Sequence, residues 1–375
     1  MTYSHALRYL TTPDVQDPPS VAPAPVLPVK FLHTPLLLCF TRNKLGSAAA
    51  SLLASVLKQA GIPYLHWIDD TMLDPKNRFL IDGRPVSPPL LAKHAALWQA
   101  AAREAGREPH CAERCAGILA LCAAETECRV ILLEAPLDVC HVGFFTPLNK
   151  RIKAITLLSD GQDVARTATN PATGEIITPA YGRAMHSRIT DICAKNDSKM
   201  VTIATTAVQR ESVTLGTQTV AYTTRTGVCH YRLPSASTVA TEAAAIALYA
   251  VQSLGERGLP IPEDALSRGL LGATLSHCGT VYSAKPLILT HAASDEKEKA
   301  RILSDLATLQ DHSDTPLTLW AEPTLAPWPD SVSLYTQDEW PTEDAFACLL
   351  AGSDAWIEEK LTARTRKKGK KSDKI

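Results

Sequence analysis

The stretch Pro35–Asp70, PLLLCFTRNKLGSAAASLLASVLKQAGIPYLHWIDD, constrains the chain most, because it has the outline of a nucleotide-holding β-loop-α unit. The apolar run Leu36–Phe40 reads as a buried strand, and a short polar loop follows it. Ser47–Ala60 then carries Leu52, Val56, Leu57 and Ala60 at helical spacing, with a stop at Gly61. Phosphate-binding loops of this kind use glycines so that backbone N–H groups can close around the phosphates. A lysine neutralises the β- and γ-phosphate oxygens, and a Ser or Thr hydroxyl holds Mg²⁺. Here Thr41-Arg42-Asn43-Lys44-Leu45-Gly46-Ser47 keeps one glycine and the serine, but sets Leu45 where the lysine would stand.

A chain of 375 residues has room for two domains with sizeable cores. Its 45% apolar content and net charge of −1 fit a globular protein and argue against wholesale nucleic-acid binding. The longest apolar run, Ala243–Val251, is far short of the ~18–20 residues of a membrane span. MTYSHALRYL lacks the charged-then-apolar order of a signal peptide, so a cytoplasmic protein with reduced thiols is expected. Among the ten cysteines, Cys111, Cys115 and Cys122 fall with Ile118 on one helical face. That spacing reads as core packing rather than as a zinc site, although His110 and Cys128 lie nearby.

Met1–Leu10 reads as a short amphipathic helix, followed by a tether with Pro13, Pro18, Pro19, Pro23, Pro25 and Pro28. Arg78–Ser87 flanks Asp82-Gly83 with short extended runs, a hairpin signal. Helices are expected over Pro89–Ala105 and Cys111–Ala124, and strands at Val130–Leu133 and Ala154–Leu158. Further strands are expected at Lys199–Thr205 and Thr217–Thr223, then helices at Ser237–Leu254 and Glu263–Leu271. Beyond Lys285 come strands at Pro286–Leu289, Pro316–Trp320 and Val332–Tyr335 and a helix at Asp295–Leu309. Strands alternating with helices imply a largely parallel sheet covered on both faces. Arg364–Lys374 carries seven basic residues against one acid, the composition of a solvated tail.

In this order the segments resemble the folylpolyglutamate synthase/dihydrofolate synthase family, a branch of the Mur ligases. MTYSHALRYL is similar to the family's start, and RFLIDGRPVS to its hairpin E-R-I-R-I-N-G-E-P-I-S. VILLEAPL (Val130–Leu137) is similar to the strand and turn L-E-V-G-L-G-G. LPSASTVATEAAAIALYA (Leu233–Ala250) follows the rhythm of L-P-G-x-H-Q-x-x-N-A-A-x-A, and KPLILTHAASD (Lys285–Asp295) lies where the family has D-G-A-H-N-P. The resemblance implies an α/β fold: a Mur-ligase-like P-loop central domain with a mainly parallel sheet, and a smaller, shortened C-terminal Rossmann-like domain. The implied boundaries are 1–34 for the helix and tether, 35–284 for the central domain, 285–361 for the C-terminal domain and 362–375 for a disordered basic tail.

The family reaction is an ADP-forming ligation, in which a folate or pteroate carboxylate is phosphorylated by ATP and captured by the amine of glutamate. The resemblance therefore implies Mg and ATP as cofactors. The nucleotide-binding remnant is Asn43, Lys44, Gly46 and Ser47, and the metal-binding remnant is Ser47 and Glu134. Lys44 replaces a loop glycine, and a one-residue shift could alternatively bring its ammonium to the phosphates. Glu134 reads equally as a buried carboxylate satisfied by N–H groups or a salt bridge. Pro136, Asp138 and Val139 replace the glycines after Glu134, and Gly161-Gln162 stands near the family's metal-binding His. Thr241, Thr280, Thr290, Ala293 and Ser294 stand for the family's Asn, Arg, Asp, His and Asn, and His291 replaces a glycine. No catalytic residue is carried over.

The expectation is a pseudoenzyme of this ligase type that acts by binding. The alternatives are a divergent active amide ligase and an interaction module that uses the basic tail. Expected partners are a folate or nucleotide ligand and a protein. A membrane is excluded, and nucleic acid is left to the tail.

Overall fold

A computed structural model describes residues 1–12, 36–40, 44–68, 75–106, 108–109, 111–135, 154–157, 173–180, 182–195, 197–204, 206–224, 227–284, 287–293, 296–313, 316–335, 340 and 347–372. The Pro-rich tether, Asn43, Pro136–Val139, Gly161-Gln162 and Ser294 lie outside the described residues. The chain forms two compact α/β units: Met1–Ala207 with Ala245–Gly269, and Val208–Ala244 with Leu270–Ile375.

The first unit opens with α1 (Tyr3–Thr11), whose Thr2 side chain accepts a hydrogen bond from the His5 N–H as N-cap. There follow β1 (Leu36–Phe40), α2 (Lys44–Gln59), β2 (Tyr64–Trp67), β3 (Phe79–Ile81), β4 (Arg84–Pro85), α3 (Pro88–Glu104), α4 (Cys111–Glu125) and β5 (Val130–Ala135). The unit continues with β6 (Ala154–Leu157), β7 (Thr173–Pro179), α5 (Arg183–Lys195) and β8 (Lys199–Ile203). Its eight-stranded sheet has the order β4-β3-β2-β5-β1-β6-β7-β8. From β2 to β8 the strands are parallel, and the β3–β4 hairpin adds an antiparallel edge. That hairpin turns at Asp82 (φ 51°) and Gly83 (φ 76°), the left-handed pair an Asp-Gly turn requires.

Side chains alternate across these strands with period two. Leu65, Trp67, Ile131 and Leu133 face a core built with α1, α3 and α4, into which Cys115, Ile118 and Cys122 also pack. The cysteine face is therefore apolar packing, as the spacing predicts. The other face of the sheet receives α2, whose Leu52, Leu53, Val56 and Leu57 are fully buried.

The second unit holds β9 (Val208–Val213), β10 (Gln218–Thr224) and β11 (Gly227–Leu233) as an antiparallel sheet. The helix α6 (Thr238–Glu256) starts in this unit and passes into the first at Ala245, where α7 (Glu263–Leu271) lies up to Gly269; the second unit resumes at Leu270. A four-stranded sheet, β12-β13-β15-β14, follows from β12 (Cys278–Ala284), β13 (Leu287–Ala292), β14 (Leu317–Ala321) and β15 (Ala347–Gly352). The helices α8 (Glu296–Gln310) and α9 (Asp354–Ser372) complete this unit. Leu289, Leu319 and Leu349 face α8, while Ile288, Trp320, Cys348 and Leu350 face α9.

Three features differ from the expected layout. A boundary at 284/285 would cut the β12–β13 antiparallel pair, and the 208–244 segment belongs with the C-terminal sheet because Arg210 and Ser237 meet Asp305 of α8. The basic segment after 361 continues α9 as helix to Ser372. Leu361 and Arg364 are buried on that helix, and Lys and Arg are good helix formers. Val332–Tyr335 makes a single bridge, Leu319 to Leu334, rather than a strand. No helix of the described residues is long and apolar enough to cross a membrane.

The backbone of α7 lies hard against α2: a Cβ on Gly269 would fall 2.4 Å from Val56 Cα. Gly269→Ala should therefore destabilise the chain by ~1–3 kcal/mol, because a backbone atom cannot step aside cheaply. Urea unfolding of the full chain measures this, and an unchanged midpoint would contradict the close approach.

Candidate functional site

The strand ends around Glu134 form the candidate site. In the parallel pairing of β1 with β5, Cys39 lies opposite Glu134 and Phe40 opposite Ala135. Glu134 thus ends its strand beside the point where the chain leaves β1 for the loop and α2. The carboxyl ends of parallel strands, next to a helix N-terminus, are where α/β sheets collect anionic ligands.

β2 flanks β5 on its other side, with His66 opposite Leu132. Alternation then puts His66, Leu132 and Glu134 on the sheet face that receives α2. Glu134 is 1% exposed and His66 3%, and His66 Nε2 lies 2.7 Å from Glu134 Oε1. The imidazole N–H donates to the carboxylate, an interaction made inside the fold. This hydrogen bond gives Glu134 a protein partner, which is one of the two readings open for it. No motif in the sequence pointed to His66.

Of the nucleotide-binding remnant, Lys44, Gly46 and Ser47 are described. α2 starts at Lys44, three residues before the start expected at Ser47. Lys and Leu are good helix formers where a phosphate loop has permissive glycine, so the first turn winds early. Leu45 is 1% exposed and Gly46 is buried, whereas Lys44 and Ser47 are half-buried. The side chain in the lysine position is therefore core. Among the described residues, no group of three His, Cys, Asp or Glu side chains is placed to hold a metal ion.

In the second unit, the positions the resemblance sets for an Arg and an Asp are cross-strand partners. Thr280 Oγ1 lies 3.2 Å from Thr290 Oγ1. Thr241 Oγ1 donates to Gln218 Oε1 at 2.9 Å, and Gln218 Nε2 donates to the Ser237 carbonyl at 2.8 Å. His291 and Ala293 are buried. These groups are spent on one another within the fold.

Next to them is a buried cluster that sequence reasoning missed. Ser237 Oγ donates to Asp305 Oδ2 at 2.6 Å, and the Thr238 N–H donates to Oδ1 at 2.9 Å. His291 Nε2 lies 3.2 Å from Oδ2 and 3.1 Å from Ser237 Oγ, while Nδ1 lies 3.1 Å from the Ala292 carbonyl. Arg210 Nη2 adds a charge 3.5 Å from Oδ1. The trio has the membership of a serine nucleophile but not its wiring. The hydroxyl proton goes to the carboxylate rather than to the imidazole, and Ser237 and Asp305 are both fully buried. Its role is to cap α6, where the first backbone N–H groups need acceptors. A serine just before an apolar helical run was a legible N-cap signal, whereas nothing distinguished Asp305 from the other acids of α8.

Burial alone would raise the Asp305 carboxyl. The hydrogen bond and charge of His291, with the Ser237 hydroxyl and the Thr238 N–H, overcome that and hold it below its ordinary value.

Comparison with known proteins gives the fold a precedent. No family model matches the sequence, and no curated protein matches it. Among solved structures, the folylpolyglutamate synthetase of Lactobacillus casei superposes with a TM-score of 0.72 at 13% identity, covering 96% of this chain and 100% of that one. The folylpolyglutamate synthase of Thermotoga maritima gives 0.69 at 15% identity, with 94% of each chain covered. The Mycobacterium tuberculosis enzyme, complexed with ADP, gives 0.62 at 14% identity over 78% of this chain and 69% of that one. The chain has the two-unit α/β fold of these ligases.

Two outcomes are expected. His66→Leu should cost ~3–5 kcal/mol, because it strands a buried carboxylate, and adding Glu134→Leu should restore most of that loss. Urea unfolding of both variants tests it, and a double variant no better than the single one would refute the coupling. For Asp305, the depressed native value means that the folded chain binds fewer protons than the unfolded chain near the ordinary carboxyl value of ~3.9. Its stabilisation is complete above that value and is lost as pH falls through the native value. The Tm gap between the native chain and Asp305→Asn should accordingly shrink from about pH 6 to about pH 3. A gap constant with pH would count against it.

Proposed function

We propose that the chain is a folylpolyglutamate synthase-like protein that keeps the ligase fold, has lost the ATP chemistry and acts by binding. The observation that carries this reading is the engagement of Glu134 by His66 at 2.7 Å, both side chains buried. The carboxylate in the family's metal position is already a hydrogen-bond acceptor within the protein. With Leu45 in the core at the lysine position, the residues present do not fit Mg·ATP. Phosphoryl transfer depends on positioning and on neutralising the charge of the transferred group. Losing one preorganised charge-stabilising donor typically costs ~10²–10³ in rate, and groups that act as a unit fail as a unit.

A solved structure of the same fold, a folylpolyglutamate synthase complex, holds AMPPCP and folate together. That precedent supports a folate or nucleotide as the ligand retained here, with a protein partner as the route by which binding acts. Any nucleotide is expected at the N-terminus of α2, where Gly46 and Ser47 stand and the helix carries partial positive charge.

ADP release with tetrahydrofolate or dihydropteroate plus glutamate should be at background for the native chain. Titration calorimetry should show Mg·ATP binding absent or weak, and sensitive to Ser47→Ala where it is measurable. Robust ADP release that disappears in Glu134→Gln, with the variant still folded by circular dichroism, would establish a working enzyme and overturn the proposal.

A further inference from the structure

The four-stranded sheet of the second unit has a pocket of about 250 Å³ at the carboxyl end of β14, its edge strand. Its walls include Trp320, Trp328, Tyr335 and Trp356, and its polar side chains are Glu322, Lys360 and the Tyr335 phenol. The Trp320 ring meets Tyr335 at 5.0 Å with 60° between planes, and Trp356 at 6.3 Å with 86°. Edge-to-face rings of this kind form a rigid corner. Lys360 Nζ lies 5.1 Å from the Trp320 centroid and 5.5 Å from that of Trp356, which holds the ammonium against the aromatic wall. Glu322 is turned to the start of α9, where its Oε2 accepts the Ser353 N–H at 2.6 Å. Packing also fixes this corner: a Cβ on Gly352 would fall 2.8 Å from the Trp356 ring and 2.9 Å from Glu322 Cβ.

We propose that this pocket is a binding site for a small planar aromatic carboxylate, with the ring against the tryptophans and the acid group on Lys360. Three ligand classes meet the same walls differently. A sugar needs several side-chain partners for its hydroxyls, but the remaining lining is Ala321, Pro323, Ala326 and Leu334, with no Ser, Thr, Asn, Gln, His or Asp among the described residues. A quaternary ammonium would be set against the like charge of Lys360, which lies over the Trp320 and Trp356 rings. A flat aromatic ring gains from stacking on Trp, and an attached carboxylate gains a charge-assisted hydrogen bond. The Glu322 charge is directed to a helix N-terminus, which offsets its repulsion of such an acid. The volume is at the small end for ligand sites and suits one or two fused rings. The site lies wholly within the second unit and owes nothing to the chemistry around Glu134.

The test uses 2-naphthoate as probe, with 2-naphthylmethanol as its neutral counterpart and 2-naphthyl-trimethylammonium as the cationic one. Each is titrated into the full chain by calorimetry and by ligand-observed NMR. Naphthoate should bind saturably and about tenfold tighter than the alcohol, the size of one charge-assisted hydrogen bond. Lys360→Met, which keeps the apolar stem, should erase that difference, and Trp328→Ala should weaken both ligands. Circular dichroism melting confirms that each variant is folded. The proposal is overturned by non-saturable naphthoate binding, by equal affinity for acid and alcohol in the native chain, or by tighter binding of the ammonium probe.

Discussion

Asp305 is the carboxylate on which the second unit hangs. Sitting on α8, it takes a hydroxyl and a backbone N–H from the start of α6, approaches an imidazole from β13 and lies near a guanidinium from β9. Those partners lie up to 95 residues away along the chain (305 − 210), so this buried contact makes one unit of two sheets that share no strand. An ionised side chain can sit at zero exposure only because each oxygen has partners, which reverses the cost of leaving water. The same contact explains why the compact units interleave along the chain. Arg210 and Ser237 must travel with α8, whatever their position in sequence.

The first unit treats the buried carboxylate of Glu134 differently. Among the described residues its hydrogen-bond partner is His66, from the next strand over. In a ligand site, a carboxylate at the end of a parallel strand gains its value from being aimed at something that arrives. Here His66 gives it a permanent neighbour, and Leu45 anchors the first turn of α2 in the core. The result has the shape of a phosphate-binding unit and the interior of an ordinary packed one. The fold shared with these ligases does not by itself set the chemistry of the strand ends, because framework packing and ligand chemistry are carried by different side chains.

Most of the framework was legible in the sequence. Leu36–Phe40 and Val130–Leu133 are unbroken apolar runs, α2 and α4 show clear helical spacing, and Asp82-Gly83 announces its turn. What escaped has physical reasons. β7 (TGEIITP) mixes glycine, proline and a buried glutamate, and the charge of that Glu175 is met by Lys199 and Arg257, which come from later segments of the chain. β12 carries two register shifts that blur its alternation. β15 is apolar on both faces and short, so its pattern is indistinguishable from a helix fragment. In the candidate site, Glu134 could be singled out by its place at a strand end, and its two readings were visible. His66 could not, since a single histidine in YLHW acquires meaning only when β2 is laid beside β5.

The bridge between Leu319 and Leu334 has a wider consequence. β14 is the outermost strand of its sheet, and an open edge offers a row of backbone groups to any other extended chain. The Leu319 N–H donates to the Ser333 carbonyl, and the Tyr335 N–H donates back to the Leu319 carbonyl. Two hydrogen bonds from an irregular segment thus occupy the middle of that edge without extending the ladder, which blunts it against strand addition by a neighbouring molecule. The segment that guards the edge is also the one that brings Tyr335 against Trp320, so cover for the edge and the aromatic corner depend on the same few residues.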